Sequence, residues 1–374
     1  MVMDKQNKLI AVKDITFMKR SLRLAEKARG MTSPNPLVGA VIVRNGKIIA
    51  EDYHKKAGEL HAEALALQRA GDKAKGATLY VTLEPCCHAE KRTPPCCPSI
   101  IRSGIKKVVV AMRDPNPEVS GRGVDELRRR GITVVEGVLR DKAERLNEAY
   151  CKYINTKRPF VILKAAMTLD GRIATPDGES KWITGEKARR VVHQLRCGVD
   201  AVMTAIGTVR ADNPELTSRI KCPRQPVRII IDPALETPPD YNVSNVPPPA
   251  IFVTRTGNEE KKKALRAKGI QFIEFGGGRV DPAWLMDRLG SMGIMSVMIE
   301  AGSSFNASAL NAGIVDKIVF FFAPKIICGK ASIPVVGGDF FMKLDDCIRL
   351  SDMSVRKVGE DIMVEGYIRA SIIN

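Results

Sequence analysis

His61-Ala62-Glu63-Ala64-Leu65-Ala66-Leu67-Gln68-Arg69-Ala70 reads as a helix, and Ala77-Thr78-Leu79-Tyr80-Val81-Thr82 reads as a buried strand that runs out into Leu83-Glu84-Pro85-Cys86. The helix opens on a histidine with a carboxylate two positions on, and the strand ends on a cysteine. Cys96 follows downstream. One imidazole and two thiolates are the ligands zinc takes when a fourth position stays open to water. Zinc brings the pKa of such a water down toward about 7. A carboxylate close by that does not bind the metal can carry protons. A helix bearing one ligand near its start, beside a strand bearing another at its end, also sets the architecture: a layered α/β domain.

The pattern extends in both directions. Residues Asp14 to Arg29 read as an amphipathic helix, with Phe17, Met18, Leu22 and Ala25 at helical spacing. Ser33-Pro34-Asn35-Pro36 stops it. The apolar run Leu37 to Val43 meets the hairpin signal Asn45-Gly46 before Lys47 to Ala50. Ser99 to Ser103 is predicted as a second helix and Lys107 to Met112 as a strand. Polar residues and a proline at Asn155-Thr156-Lys157-Arg158-Pro159 mark a break, so residues 1–155 and 158–374 are expected to form separate domains. A chain of 374 residues is long enough for two. The second half alternates as well, with strands expected at Phe160 to Ala166, Val199 to Thr204, Val227 to Ile231, Ala250 to Val253, Val297 to Ile299 and Ile318 to Phe322. A helix is expected at Gly185 to Arg196. Pro238-Pro239 and Pro247-Pro248-Pro249 mark exposed loops.

Composition narrows the class. Hydrophobic residues make up 44% and charged residues 27%, as in ordinary globular proteins. The most apolar stretch, Ile318 to Pro324, is far short of the ~18 apolar residues a membrane span needs. Met1 to Asp14 lacks the apolar run of a signal peptide, so a cytoplasmic location is expected. Nine cysteines are too few for a disulfide scaffold, and four of them (Cys86, Cys87, Cys96, Cys97) cluster. In a reducing compartment such a cluster points to a metal. His54, His61 and His88, three of only four histidines, lie close to it. The net charge is +17 and uneven. Residues 1–157 hold 30 basic and 18 acidic side chains, a net of +12 against +5 for the remainder. That suits an anionic partner, either nucleic acid or a phosphorylated small molecule, or else a surface tuned for solubility.

His-x-Glu followed by Pro-Cys and another cysteine is the signature of zinc-dependent deaminases, usually closed by Cys-x-x-Cys. Here nine residues separate Cys86 from Cys96, and spacing alone leaves Cys96 and Cys97 as alternatives. The chain from Ser33-Pro34-Asn35-Pro36-Leu37-Val38-Gly39, through His54 and His61-Ala62-Glu63, to Leu83-Glu84-Pro85-Cys86-Cys87-His88 and Thr93-Pro94-Pro95-Cys96 resembles the riboflavin-biosynthesis pyrimidine deaminases. Asp114-Pro115-Asn116-Pro117 and Gly121-Arg122-Gly123 extend the likeness. The resemblance implies that His61, Cys86 and Cys96 bind zinc, since in that family the ligand directly follows Pro-Pro and the long gap is usual. It implies Glu63 as the catalytic proton carrier, and Asn35, His54 and His88 in the substrate pocket. Lys91 or Arg92 takes a substrate-binding role, in a loop one residue longer than the family's.

Past residue 158 no Gly-x-Gly-x-x-Gly follows a strand, so the Rossmann fingerprint is absent, and Gly276-Gly277-Gly278 reads as a turn. Val297-Met298-Ile299-Glu300-Ala301-Gly302-Ser303-Ser304 leads from a strand into a helix whose first N–H groups can hold a phosphate. Lys164 to Arg172, Gly178 to Thr184, Arg196, Gly207-Thr208-Val209, Asp212 to Arg219, Glu300 with Gly302, and Ala323-Pro324-Lys325 resemble the reductase of the same pathway. The resemblance implies a dihydrofolate-reductase-like α/β domain that uses NADPH. By position, Lys164, Ser180, Arg196, Leu216, Arg219 and Glu300 should meet substrate. Ala166, Trp182, Thr208, Asp212 and the run Gly302, Ser303, Ser304, Phe305, Asn306, Ala307 and Ser308 should meet NADPH. Arg196 and Arg219 offer donor forks suited to a phosphate, and the Trp182 indole offers a flat packing surface.

The expected molecule is therefore α/β throughout: a cytidine-deaminase-like three-layer domain, then a dihydrofolate-reductase-like one. The resemblance implies a bifunctional enzyme that hydrolytically deaminates 2,5-diamino-6-(5-phosphoribosylamino)pyrimidin-4-one with zinc, one ion per chain. It then reduces the ribosyl group to ribityl with NADPH. Its partner would be a phosphorylated pyrimidine rather than nucleic acid or membrane, and the chain would form a homo-oligomer. Two other readings stay open: a nucleic-acid deaminase of the tRNA type with an accessory domain, and a zinc-stabilised binding module in which Glu63 is idle.

Overall fold

The computed structural model describes residues 12–87, 94–117, 119–255, 257, 259–338 and 343–369. The chain divides into two compact units, Met1–Lys157 and Arg158–Asn374.

The first unit runs α1 (Val12–Glu26), β1 (Gly39–Arg44), β2 (Lys47–Tyr53), α2 (Ala62–Ala70), β3 (Thr78–Leu83), α3 (Cys96–Arg102), β4 (Lys107–Met112), α4 (Arg122–Arg129), β5 (Thr133–Glu136), α5 (Arg140–Leu146) and α6 (Glu148–Thr156). Its sheet has the order β2-β1-β3-β4-β5. β1 is antiparallel to both neighbours, whereas β3, β4 and β5 are parallel. Strands β1, β3 and β4 are buried along almost their whole length, as strands covered on both faces are. α1 lies so close to β1 that a Cβ on Gly39 would sit 2.1 Å from the Ser21 carbonyl oxygen. α3 begins at Cys96 rather than at the expected Ser99. Pro98 falls in its first turn, where proline has no intrahelical hydrogen bond to lose.

The second unit continues with β6 (Phe160–Thr168), β7 (Arg172–Ala174), α7 (Glu186–Gly198), β8 (Ala201–Ala205), α8 (Ile206–Asp212), β9 (Val227–Ile231), α9 (Asn242–Asn245), β10 (Ile251–Arg255), α10 (Glu259–Arg266) and β11 (Gln271–Phe275). There follow α11 (Pro282–Ser291), β12 (Ser296–Ile299), α12 (Ser303–Asn311), β13 (Lys317–Ala323), β14 (Ile333–Pro334), β15 (Leu350–Val358) and β16 (Asp361–Ile368). Nine strands form one sheet in the order β11-β10-β9-β8-β12-β6-β13-β16-β15. The seven from β11 to β13 are parallel, and β16 and β15 close the sheet antiparallel. Val161, Leu163, Met203, Ile229, Val253 and Val297 build the core beneath it. β11 and the β15–β16 hairpin were not expected from sequence. β15 is mostly exposed, so it lacks the in-out alternation that marks a half-buried strand.

The four clustered cysteines of the first unit are all free thiols. A bridge does occur, unanticipated, in the second unit: Cys197 at the end of α7 is bonded to Cys222. Among the described residues no helix is long and apolar enough to cross a membrane.

Candidate active sites

Three backbone ends bring the first site together. His61 is the N-cap of α2, and Glu63 lies in that helix's first turn. Cys86 follows the end of β3, and Cys96 opens α3. The N–H groups of Cys96 and Cys97 both donate to the Cys86 carbonyl at 3.0 Å, which fixes the two cysteine segments against each other. His61 Nδ1 lies 3.3 Å from Cys96 Sγ and 3.6 Å from Cys86 Sγ. The three ligand atoms all fall within 4.8 Å of one another. One imidazole and two thiols at this spacing suit a zinc ion that keeps a position for water.

Electrostatics distinguishes the members of the group. Glu63 is only 3% exposed. Burial pushes its carboxyl above the usual range, the Cys86 thiolate adds to the rise, and His61 only partly offsets it. The two thiols titrate as a pair. Hydrogen bonding from Cys96 pulls Cys86 down, and the same contact with burial pushes Cys96 well up. His54 is buried 5.6 Å from the His61 ring, and burial lowers its pKa, the Leu60 carbonyl partly offsetting this. Its Nδ1 faces the Leu60 carbonyl at 3.1 Å and must donate there. That leaves Nε2 to accept from the Asn35 amide, also at 3.1 Å, so the Asn35 Oδ1 is the amide's acceptor.

Two supporting residues escaped the sequence reading. The buried Glu84 carboxylate accepts four backbone N–H groups, from Asp114, Gly121, Gly123 and Val124, at 2.9–3.2 Å. It thereby ties the turn before Cys86 to the start of α4. This explains Gly121-Arg122-Gly123: a Cβ on Gly123 would lie 2.0 Å from the Pro85 carbonyl oxygen. The buried Asn147 pairs with both backbone groups of Leu37, at 2.7 and 3.1 Å, and so holds the segment that carries Asn35. The only sequence signal for Glu84 was its place beside Pro85-Cys86. Asn147 gave none. His88, Lys91 and Arg92 lie outside the described residues.

The second site is a cavity of about 1720 Å³. It opens along the C-terminal ends of parallel strands, where open α/β sheets bind their ligands. Every residue expected to meet substrate or NADPH in this unit lines it except Asn306. The Asn306 side chain is fully buried and donates to the Val335 carbonyl at 2.8 Å, so it supports α12 from behind. Glu300 is the electrostatic centre. Arg196 grips it through Nε at 2.6 Å and Nη2 at 3.1 Å, and Lys164 Nζ approaches at 3.1 Å. Burial alone would raise the Glu300 carboxyl, but the two cations outweigh it and hold it far below the usual range.

This geometry corrects the reading of Arg196 as a fork open to phosphate. Its third nitrogen donates to the Thr217 carbonyl at 3.0 Å, so the fork is already engaged. Arg219 is about half exposed, lines the cavity and bonds Glu215 through Nε at 3.3 Å. Ser180 Oγ donates to Asp212 at 3.0 Å. Trp182 is 61% exposed, with the Arg189 guanidinium 4.6 Å from its ring centre. At the start of α12, Gly302 is the N-cap, and the buried Ser303 Oγ has no hydrogen-bond partner among the described residues. An unsatisfied hydroxyl beside free helix N–H groups fits a phosphate of a bound dinucleotide.

Comparison with known proteins converges on one family. Residues 159–364 match the model of the RibD C-terminal domain, and residues 11–112 match the cytidine and deoxycytidylate deaminase zinc-binding region. The riboflavin biosynthesis protein RibD of Actinobacillus pleuropneumoniae is 44% identical over 363 residues, covering 96% of each chain. The chain belongs to the RibD family. The RibD of Aquifex aeolicus is 46% identical over 353 residues, 94% of this chain and 97% of that one. Among solved structures, the diaminohydroxyphosphoribosylaminopyrimidine deaminase/5-amino-6-(5-phosphoribosylamino)uracil reductase of Thermotoga maritima superposes with a TM-score of 0.86. It is 38% identical, over 96% of this chain and 99% of that one. The RibD-family chain is thus a bifunctional enzyme of riboflavin biosynthesis, a zinc-dependent deaminase joined to an NADPH-dependent reductase.

Proposed function

We propose that the deaminase and reductase reactions are carried by the residues gathered in these two sites, with the domains bounded as 1–155 and 158–374. In the deaminase, His61, Cys86 and Cys96 would hold the zinc ion, which when bound supplies Lewis-acid activation of water at neutral pH. Glu63 takes a proton from the attacking water and returns one to the departing amine, so the 2-amino group leaves as ammonia. Asn35 and His54 hold the pyrimidine, with His54 setting which way the Asn35 amide faces. His88 and one of Lys91 and Arg92 complete the contacts.

In the reductase, NADPH supplies the hydride. Ala166, Trp182, Thr208, Asp212 and the α12 start from Gly302 to Ser308 would hold it, with Asn306 acting through the helix. Lys164, Ser180, Leu216, Arg219 and Glu300 position the phosphoribosyl substrate. Arg196 acts mainly by holding Glu300 ionised. The observation that carries the reading is the meeting of His61 Nδ1 with both sulfurs beside the buried Glu63 carboxylate, whose pKa burial raises. The partner is a phosphorylated pyrimidine rather than RNA, the compartment the cytoplasm, and the working form a homo-oligomer.

The test follows ammonia release and NADPH oxidation separately on the pathway's pyrimidine. Glu63→Gln should lower ammonia release by about 10²–10⁴-fold with zinc content unchanged, while hydride transfer to pre-deaminated substrate stays at the wild-type rate. Full ammonia release with zinc retained would sink the role of Glu63. Deamination of an RNA by a chain that ignores the pyrimidine would sink the substrate assignment.

A further inference from the structure

The sheet order lays out the reductase cavity as a line. Lys164 lies on β6, Glu300 follows β12, Thr208 follows β8, Pro233 follows β9, and Arg279 sits in the turn after β11. In the sheet these strands stand in the order β6, β12, β8, β9, β10 and β11. The Glu300 end holds the reacting sugar in the function proposed above, on which this inference rests. A dinucleotide with its phosphates at the start of α12 then has its adenosine toward β9 and β11.

Six lysine and arginine side chains line the cavity, and five have partners. Lys164 and Arg196 hold Glu300. Lys181 donates to the Asp212 carbonyl at 2.9 Å, Arg189 to the Thr184 carbonyl at 2.6 Å, and Arg219 pairs with Glu215. Arg279 alone has none among the described residues. Nearby acids are also engaged. The Asp281 side chain caps α11 through the Ala283 N–H at 2.9 Å. Asp232, wholly buried, accepts from Glu236 and Thr237. Glu274 pairs with Lys262, and Glu236 with Arg210. Gly276, Gly277 and Gly278 leave open space before Arg279, since a Cβ on any of them would meet nothing within 4 Å.

We propose that Arg279 binds the 2′-phosphate of the adenosine and so selects the phosphorylated dinucleotide over its unphosphorylated counterpart. A guanidinium matches a phosphate dianion with two parallel donors, a geometry that lysine does not reproduce. No carboxylate at the end of β9 is placed to claim a free 2′-hydroxyl, because Asp232 turns inward.

Equilibrium binding of NADPH and NADH to the full chain, by calorimetry, tests this without recourse to turnover. In Arg279→Ala the NADPH Kd should rise by about tenfold or more, as for loss of a charge-assisted phosphate contact, while the NADH Kd stays within about twofold. Arg279→Lys should recover part of the loss. An equal change for both dinucleotides, or wild-type preference for NADPH persisting in Arg279→Ala, would overturn the assignment to Arg279 while leaving the cofactor reading intact. A wild-type chain that binds NADPH no better than NADH, or binds neither, would overturn the cofactor reading as well.

Discussion

Glu63 and Glu300 are both buried carboxylates, each placed at a junction of strand ends and helix starts, yet they shift in opposite directions. At Glu63 the offset from His61 is weaker than burial, so burial wins and its proton is held more tightly than in water. Glu300 meets a two-pronged arginine and a lysine, and their attraction wins over burial. The first is built to exchange a proton, the second to stay an anion and fix its surroundings. The same residue type thus serves two chemistries, and among the described residues the difference is a pair of side-chain cations, Arg196 and Lys164, clamped on Glu300.

The contrast breaks most sharply at the ligands. Cys96→Ser removes one of three metal ligand atoms that lie within 4.8 Å of one another, and no other described side chain of that cluster can replace it. Zinc measured by atomic absorption should fall to background, and ammonia release should vanish with it. NADPH oxidation on pre-deaminated substrate should persist. If both activities disappeared together, the two sites would not be independent in the way their separate architectures imply.

Next comes the clamp on Glu300. Removing one partner of a buried, hydrogen-bonded ion pair leaves an uncompensated charge, which typically costs about 3–5 kcal/mol. Because Lys164 still faces Glu300, Arg196→Met should destabilise the reductase unit by no more than that in urea unfolding. The double substitution Arg196→Met with Glu300→Gln should restore much of the stability but not the reduction. Restored reduction in the double variant would show that Glu300 is a structural residue only.

Gly123→Ala sharpens the comparison from the deaminase side. Its Cβ would collide with the Pro85 carbonyl, and such overpacking costs about 1–3 kcal/mol. Because Pro85 precedes Cys86, the strain should show as weaker zinc retention against a chelator, with the reductase unaffected. Equal zinc retention in both proteins would mean that the Glu84–α4 contact does not position the ligand.

How much of this was legible in the sequence follows from how local each feature is. The alternating strands of the first unit, the division near residue 157 and the approach of His61 to Cys86 rest on short apolar runs and on side chains at element ends, where pattern is strong, whereas Cys96 was told from Cys97 only by the family resemblance. Glu84 and Asn147 were missed because each acts on backbone N–H and C=O groups far along the chain, and a lone polar residue carries no sign of such a partner. Arg196 was legible as a cation in the site but not as Glu300's clamp, since the two are 104 residues apart. β15 was invisible because an exposed edge strand carries no apolar alternation. The Cys197–Cys222 bridge was unforeseen because cysteine counting drew attention to the cluster in the other unit.

The smallest effect lies in acid. Glu300 has its folded-state pKa depressed below its unfolded value of about 4.3. Its contribution to stability is therefore fully present above that unfolded value and is lost as pH falls toward the folded one. A single group of this kind adds at most about 1.4 kcal/mol of stability loss per pH unit in that window. Urea midpoints of wild type and Glu300→Gln, taken from pH 5 down to pH 3, should converge as the solution becomes more acidic, because only in the wild type does unfolding bind a proton at position 300 there. Parallel lines would mean that Arg196 and Lys164 do not hold Glu300 as an anion. That would remove the very difference from Glu63 on which the two sites are distinguished.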